Sequence, residues 1–328
     1  MGTNGLFHVI DTRQFDRPML DHLCRLATHV RTLAKSKAGA QSLQALAPDR
    51  RAMLYFTQPS TRTFLSFNSA CHILGMRTSE IRNPSISSEV KGETFEDSIR
   101  TFSSYADVII MRTPEGGKAA RAAEIMNAIP RPVPVINAGS GPDQHPTQAL
   151  LDIYTLERSF EQRGGIDGRT IAMMGDLRRG RTVRSLSYLM KNYKDVRLRF
   201  VAPPGFEIKR DILDHLDAHG IEHQSASRLD DILDGLDALY VTRLQKEYDE
   251  RNESESADYA PYSIGPEQLR RFPSDAIIMH PLPRGPELAP GIDNDPRVMY
   301  WRQERNGMWM RAALLAAIFD LDSGLDME

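Results

Sequence analysis

Residues 52–75 read AMLYFTQPSTRTFLSFNSACHILG and contain a strand, a turn and a helix in succession. The apolar run Ala52–Phe56 is short and rich in large side chains, which favours a buried strand. Beyond the turn, apolar residues recur at helical spacing over Phe64–Leu74, and Gly75 is suited to end that helix. A strand that leads through a short turn into a helix is the building unit of an α/β sheet.

The same alternation of short apolar runs and amphipathic stretches continues along the chain. The runs are bounded by Gly, Pro, Asp and Asn, and the intervals between them are long enough to hold crossover helices. The further candidate strands are His8–Ile10, Ala106–Met111, Val133–Asn137, Thr170–Met174, Arg197–Ala202, Ala238–Thr242 and Ala276–His280. This pattern is typical of parallel α/β sheets.

The length of 328 residues is too great for one ordinary core and suits two domains. Pro146–Phe160 reads as a long helix near mid-chain, and Met308–Leu321 as a strongly apolar last helix. We therefore expect an α/β fold of two doubly wound parallel-sheet domains joined by a long helix, with the C-terminal helix packing back on the first domain. The expected boundaries are 1–145 with 308–328 for one domain, and 146–307 for the other.

Composition excludes several classes of function. The chain is 41% hydrophobic and 26% charged with a net charge of −3, so it has the balance of a globular protein and no positive field to recruit nucleic acid or anionic lipid. Its two cysteines give neither a disulfide framework nor a zinc spacing. Neither a signal peptide nor an apolar run of membrane-spanning length is evident. We expect a cytoplasmic enzyme.

Arginines follow most of the predicted strands. Because ligands bind at the carboxyl ends of strands in open parallel sheets, this placement predicts an anion-binding crevice between two sheets. The residues that follow the strand ends are Arg62, Arg112, Arg181, Arg243 and Arg284.

Ser60-Thr61-Arg62-Thr63 is the strongest local signal, because it lies where a helix begins. Free backbone N–H groups, the positive end of the helix dipole, hydroxyls and a guanidinium together suit a phosphate group. The alternative is that Ser60 and Thr61 merely cap the helix, as these residue types commonly do.

Two other motifs leave alternatives open. Gly175–Thr182 resembles a phosphate-binding P-loop but has Arg181 where that motif needs Lys, so it reads better as another arginine site. His145 could be a general base, a hydrogen-bond donor to a carbonyl oxygen, or an ordinary histidine at a helix start. Gln148 lies three residues further on and faces the same side, which favours a functional role.

Taken in order, these motifs resemble the aspartate carbamoyltransferase family, within the aspartate/ornithine carbamoyltransferase superfamily. The resemblance extends from about Ala52 to the last helix. The matching segments are Ser60–Thr63, Lys91–Thr94, Met111-Arg112, His145–Gln148, Gly175-Asp176 with Gly180–Val183, Thr242–Glu247 and His280–Arg284.

The resemblance implies a role for each matched residue and requires neither a metal nor a cofactor. Arg62, Thr63, Arg112 and His145 would be catalytic. Carbamoyl phosphate would be bound by the 1–145 domain and by residues of the second, namely Ser60, Thr61, Arg62, Thr63, Arg112, His145, Gln148, Leu282 and Pro283. The 146–307 domain would bind L-aspartate, and the implied aspartate-binding residues are Lys91, Arg181, Arg243 and Gln245. A neighbouring subunit would donate Ser87 and Lys91, so a homotrimer with shared sites is implied.

The implied reaction transfers the carbamoyl group to L-aspartate, giving N-carbamoyl-L-aspartate and phosphate in pyrimidine synthesis. One alternative is a carbamoyltransferase for another amine such as ornithine, although such enzymes usually have Cys at the position of Pro281. The others are a catalytically silent scaffold of the same fold and a nucleotide hydrolase built on Gly175–Thr182. A regulatory chain and a dihydroorotase are the candidate protein partners, with no nucleic acid or membrane involved.

Two positions depart from the family pattern. Gln58 stands where a Glu is common, and Tyr248 stands where an Arg often follows the Gln-Lys-Glu triplet. Those two charges help to link the domains in the family, so we expect the energetics of domain closure to differ in this chain.

Overall fold

The computed structural model describes residues 5–83, 92–141, 144–245 and 258–325. The chain divides into two compact units, which we call the first unit (Met1–Tyr154 with Arg305–Glu328) and the second unit (Thr155–Glu304). Both are α/β structures with parallel sheets, so the predicted fold class is confirmed.

The first unit is built on a four-stranded parallel sheet in the order β2-β1-β3-β4. Its strands are β1 (Arg51–Phe56), β2 (Arg77–Ile81), β3 (Val108–Arg112) and β4 (Val135–Asn137). Its helices are α1 (Arg17–Leu33), α2 (Lys37–Gln44), α3 (Thr61–Ile73), α4 (Phe95–Tyr105) and α5 (Lys118–Asn127), followed by α6 (Pro146–Phe160), which ends in the second unit.

The second unit is built on a five-stranded parallel sheet in the order β7-β6-β5-β8-β9. Its strands are β5 (Thr170–Met174), β6 (Arg197–Val201), β7 (Glu222–Ala226), β8 (Ala238–Val241) and β9 (Ile277–Met279). Its helices are α7 (Arg181–Leu189), α8 (Arg210–Ala218) and α9 (Pro266–Leu269), followed by α10 (Tyr300–Ile318), which returns to the first unit.

Alternating side chains give each sheet two buried faces, as the continuous apolar runs predict. In β1 and β3, Met53, Tyr55, Ile109 and Met111 pack into one core with residues of α4 and α5. The C-terminal helix packs back on the first unit as expected, because Arg311 of α10 donates a hydrogen bond to Ser66 Oγ of α3 at 2.6 Å.

Three details of the strand prediction are wrong. His8–Ile10 does not form a strand; instead Val9 makes a single parallel bridge to Ile136, since Asp11 caps a helical turn at Thr12–Gln14 and ends the extended backbone. The other two errors are omissions, because β2 and β7 carry mostly polar side chains and were not predicted.

No helix within the described residues is long and apolar enough to cross a membrane.

Candidate active site

The start of α3 follows the carboxyl end of β1, as predicted. Ser60 has an extended backbone and lies immediately before Thr61, the first residue of α3. Its side chain makes no capping hydrogen bond to the helix. The structure therefore does not show the capping role that was the alternative reading of Ser60. The helix terminus keeps the polarity that suits an anion.

Arg112 lies next to this helix start because β3 pairs with β1 and places Arg112 opposite Phe56. The backbone N–H of Gln58 donates to the carbonyl oxygen of Arg112 at 3.2 Å, which ties the turn before α3 to the end of β3. The Arg112 guanidinium donates from Nη1 to the carbonyl oxygen of Ala138 at 3.2 Å.

The turn after β4 brings Arg112 and His145 together around a glycine. Asn137 shapes this turn, since its Oδ1 accepts from the backbone N–H groups of Gly139 at 2.9 Å and Ser140 at 3.0 Å. Gly139 has φ +98°, and a Cβ there would lie 2.8 Å from both Arg112 Nη1 and His145 Cδ2. Glycine is thus required twice over at this position, for its backbone angle and for the space.

His145 also contacts the α3 helix. Its Nε2 lies 3.4 Å from Thr63 Oγ1, and the two residues are 4% and 7% exposed. His145 therefore lies between Thr63 and the Gly139 turn that Arg112 approaches, so the first unit brings three hydrogen-bonding groups from three different segments close together. Such a group of donors could stabilise an oxygen that gains negative charge during a reaction.

Gln148 lies in the first turn of α6 and is oriented by Asp152, a residue that was not predicted from the sequence. Its Nε2 donates to Asp152 Oδ1 at 3.0 Å, and Asp152 is fully buried. Because a carboxylate accepts hydrogen bonds, the amide nitrogen of Gln148 faces Asp152 and the amide oxygen is left to accept from an N–H group. The spacing of four residues on a helix was the available signal for this pair.

In the second unit, buried Asp176 joins two loops at the carboxyl ends of β5 and β8. Its Oδ1 accepts from the backbone N–H of Arg179 at 3.1 Å, and its Oδ2 accepts from that of Gln245 at 3.2 Å. Gly175 has φ +118°, and a Cβ there would lie 2.1 Å from the carbonyl oxygen of Thr242. The two loops are therefore in direct contact.

These joined loops carry the predicted aspartate-binding residues. Arg181 is the first residue of α7, after Gly180. Arg243 and Gln245 follow β8, and the Arg243 guanidinium donates to the carbonyl oxygen of Leu244 at 2.9 Å. The structure thus brings the segment that contains Arg181 to the segment that contains Gln245.

Leu282 and Pro283 lie in a turn after β9. Because the five strands are parallel, this turn follows the carboxyl end of its strand, as the loops after β5 and β8 do. Leu282 has φ +51°, and the Leu282–Pro283 peptide bond is cis. After the turn, Arg284 donates from Nη2 to Asp293 Oδ2 at 2.8 Å, and this hydrogen bond lowers the pKa of Asp293 below its usual value.

Three predicted positions cannot be placed. Ser87, Lys91 and Tyr248 lie outside the described residues. Within the described part of the chain, no group of three or more His, Cys, Asp or Glu side chains could hold a metal ion.

The chain matches family models over most of its length. Residues 8–158 match the carbamoyl-P binding domain of aspartate/ornithine carbamoyltransferases, and residues 167–318 match their Asp/Orn binding domain.

Known proteins resemble the chain over nearly all of its length. It is 41% identical over 314 residues to aspartate carbamoyltransferase 1, chloroplastic, of Pisum sativum, covering 94% of this chain and 78% of that protein. Aspartate transcarbamoylase from Trypanosoma cruzi, crystallised with carbamoyl phosphate and aspartate, has a TM-score of 0.86 at 35% identity, covering 95% of this chain and 96% of that one. The catalytic subunit of M. jannaschii aspartate transcarbamoylase has a TM-score of 0.84 at 36% identity, covering 97% and 100%. The chain therefore belongs to the aspartate/ornithine carbamoyltransferase family, among its aspartate carbamoyltransferases.

Proposed function

We propose that this protein transfers the carbamoyl group of carbamoyl phosphate to the amino group of L-aspartate, giving N-carbamoyl-L-aspartate and inorganic phosphate. The observation that carries the proposal is the convergence of Thr63, Arg112 and His145 beside the start of α3, in a chain whose relatives include aspartate transcarbamoylase crystallised with both substrates.

In this reaction the neutral amine nitrogen attacks the carbonyl carbon and the bond from that carbon to the phosphate oxygen breaks. The proton that the nitrogen loses is taken up by the leaving phosphate. The carbonyl oxygen gains negative charge during the attack. Thr63, Arg112 and His145 are suited to donate hydrogen bonds to that oxygen, which lowers the barrier most when the donors are already in place.

The leaving phosphate has its own binding groups. The N-terminal end of α3, with Ser60, Thr61, Arg62 and Thr63, is proposed to hold it, helped by Arg112. The amide oxygen of Gln148 and the backbone carbonyl of Leu282 are proposed to accept from the amino groups of the substrates.

The acceptor amino acid is proposed to be held by arginines of the second unit. Arg181 and Arg243 can each bind a carboxylate through two parallel hydrogen bonds, and L-aspartate has two carboxylates. Gln245 is expected nearby, and Lys91 is proposed to assist from a neighbouring subunit. Pro283 is proposed to shape the Leu282 loop on the carbamoyl phosphate side of the site. In this scheme the proposed domain 146–307 determines which amino acid accepts the carbamoyl group. The proposed domain 1–145 binds carbamoyl phosphate.

Acceptor choice tests the proposal against its nearest rival. The purified chain is given carbamoyl phosphate with either L-aspartate or L-ornithine, and the products are separated. We expect carbamoyl-aspartate from the first mixture and no citrulline from the second. Citrulline without carbamoyl-aspartate would assign the chain to ornithine instead.

The proposed assembly is a homotrimer in which Ser87 and Lys91 of one subunit complete the site of the next. The proposed compartment is the cytoplasm, and the candidate partners are a regulatory chain and a dihydroorotase. The trimer is tested by light scattering with and without a bisubstrate analogue. The compartment is tested by fractionation of cells that produce the protein. The partners are tested by co-purification from the same cells.

A further inference from the structure

A buried pair of ionisable side chains lies at the end of β9. His280 follows the last residue of that strand and is 1% exposed, and Glu287 is 5% exposed. His280 Nε2 lies 2.9 Å from Glu287 Oε1. The proposed chemistry gives neither side chain a direct role, although the turn between them carries Leu282 and Pro283.

Hydrogen bonds define the tautomer of His280. The backbone N–H of Leu282 donates to His280 Nδ1 at 2.8 Å, so Nδ1 must be the acceptor nitrogen. The proton of the neutral ring is then on Nε2, which donates to Glu287. In histidines generally, the hydrogen bond made by one ring nitrogen determines whether the other nitrogen carries the proton.

The pair holds the turn at two points. Besides His280, Glu287 Oε1 accepts from the backbone N–H of Gly285 at 2.6 Å. One carboxylate oxygen thus fixes the far end of the turn directly and the near end through the imidazole. His280 is itself anchored, because its backbone N–H donates to Gln303 Oε1 at 2.9 Å.

The turn needs such support because of the backbone of Leu282. Its φ of +51° lies in the left-handed region, which a leucine rarely occupies. Residues in this region keep their conformation when the surrounding contacts determine it. The hydrogen bond from Leu282 N–H to His280 Nδ1 is a contact of that kind.

We propose that His280 and Glu287 are positioning residues, which together hold the Leu282–Pro283 turn and so fix the direction of the Leu282 carbonyl oxygen that the proposed function assigns to the substrate amino groups. This inference rests on the proposed function, since it assigns the pair a role in carbamoyl transfer. The charge of Glu287 is consistent with it: burial raises its pKa, but hydrogen bonds from His280 and Gly285 outweigh burial and leave the pKa below its usual value.

The first test compares two substitutions of His280. Asn can accept a hydrogen bond from the backbone N–H two residues further on, whereas Leu cannot. We expect His280→Leu to lower kcat about 100-fold, as a displaced catalytic contact does, with KM for both substrates changed less than about threefold. His280→Asn should recover about a tenth of the lost kcat or more. Equal kcat in the two variants would overturn the proposal.

A second pair of variants guards against simple misfolding. Glu287→Gln keeps an oxygen that can accept from Nε2 and from Gly285, and Glu287→Met removes it. We expect kcat to fall much further in the Met variant than in the Gln variant. Equal kcat in these two variants would also contradict the proposed role.

The matched control is His223→Leu in the same unit. His223 pairs with Asp217 at 2.9 Å, but it lies on β7, at the opposite edge of the five-stranded sheet from β9. Its loss should leave kcat unchanged, and an equal fall would show that any histidine pair in this unit affects the reaction indirectly. Absence of carbamoyl transfer in the intact chain would refute the proposed function itself. Failure of the positioning role is a different result, because it is seen only when the variants of an active chain are compared.

Discussion

Gly139 is the residue at which the geometry of the first unit is most constrained. Arg112 and His145 both approach the space that a Cβ would fill, and each can shift only by moving away from its present contacts. A side chain here would therefore disturb catalysis more than it disturbs folding.

The substitution Gly139→Ala tests this point. We expect kcat/KM to fall about 100-fold, because displacement of donors by a fraction of an ångström weakens the stabilised oxygen strongly. The control is Gly164→Ala, whose φ is +86° but whose Cβ would have nothing within 4 Å. It carries the same kind of cost, about 1–2 kcal/mol for an alanine with a left-handed backbone, without displacing a site residue. Comparable kinetics in the two variants would refute the role of crowding at Gly139.

Glu287 makes the stability of the chain depend on pH in a known direction. Its pKa is lowered in the folded protein, so its stabilisation is complete above the unfolded value of about 4.3 and is lost as the pH falls through the folded value. At pH 7 we expect the free energy of unfolding of the intact chain to exceed that of Glu287→Gln by about 1.5–3 kcal/mol, the range for a hydrogen bond to a charged group. Urea unfolding should show this difference shrinking below about pH 4. A difference that grows towards acid pH would have the wrong sign.

Among the elements, the apolar strands were predictable, including the edge strands β4 and β9, whereas the polar edge strands β2 and β7 were not. Thr170–Met174 is buried at every position, so its unbroken apolar run marks it clearly. Glu222–Ala226 forms an edge strand with exposed polar side chains, and its sequence EHQSA carries no apolar signal. Its pairing with β6 comes from backbone hydrogen bonds, which composition does not reveal.

The site follows the same division. The residues expected to contact substrates could be selected from the sequence, because arginines and helix-start hydroxyls at strand ends have a chemical meaning. No pattern in the sequence assigns a role to the polar residues that hold the loops. Asn137 and Asp176 look like ordinary turn residues until the structure shows which backbone N–H groups they accept from.

Asp176 joins the loops after β5 and β8, and a substitution there tests whether this link matters for aspartate binding. Asp176→Asn replaces one carboxylate oxygen by an amide NH₂ group, so either the Arg179 N–H or the Gln245 N–H loses its acceptor. We expect KM for L-aspartate to rise about 10- to 100-fold, the value of a hydrogen bond to a charged group. Phosphate binding to the first unit should stay unchanged in equilibrium dialysis. Asp217→Asn, a change at an exposed carboxylate paired with His223, is the control and should leave KM unaltered. A normal KM in Asp176→Asn would show that the loops do not need this residue.

For the whole molecule, the proposal that subunits share their sites can be tested with a mixture of two inactive variants. Lys91→Gln and Arg112→Ala should each abolish turnover as separate proteins. If Lys91 is donated by a neighbour, trimers re-formed from an equal mixture contain intact sites, and random assembly restores about one quarter of the original activity per site. No recovery after dissociation and reassembly, with trimers present by light scattering, would mean that each site is built from one chain.

The central claim is that the group around Arg112 drives carbamoyl transfer rather than hydrolysis of carbamoyl phosphate. The most direct measurement follows inorganic phosphate and N-carbamoyl-L-aspartate together, in the intact chain and in Arg112→Ala. We predict equal amounts of both products from the intact chain and a fall of at least about 100-fold in both for the variant. Phosphate released without carbamoyl-aspartate, or transfer that survives the loss of Arg112, would contradict the account.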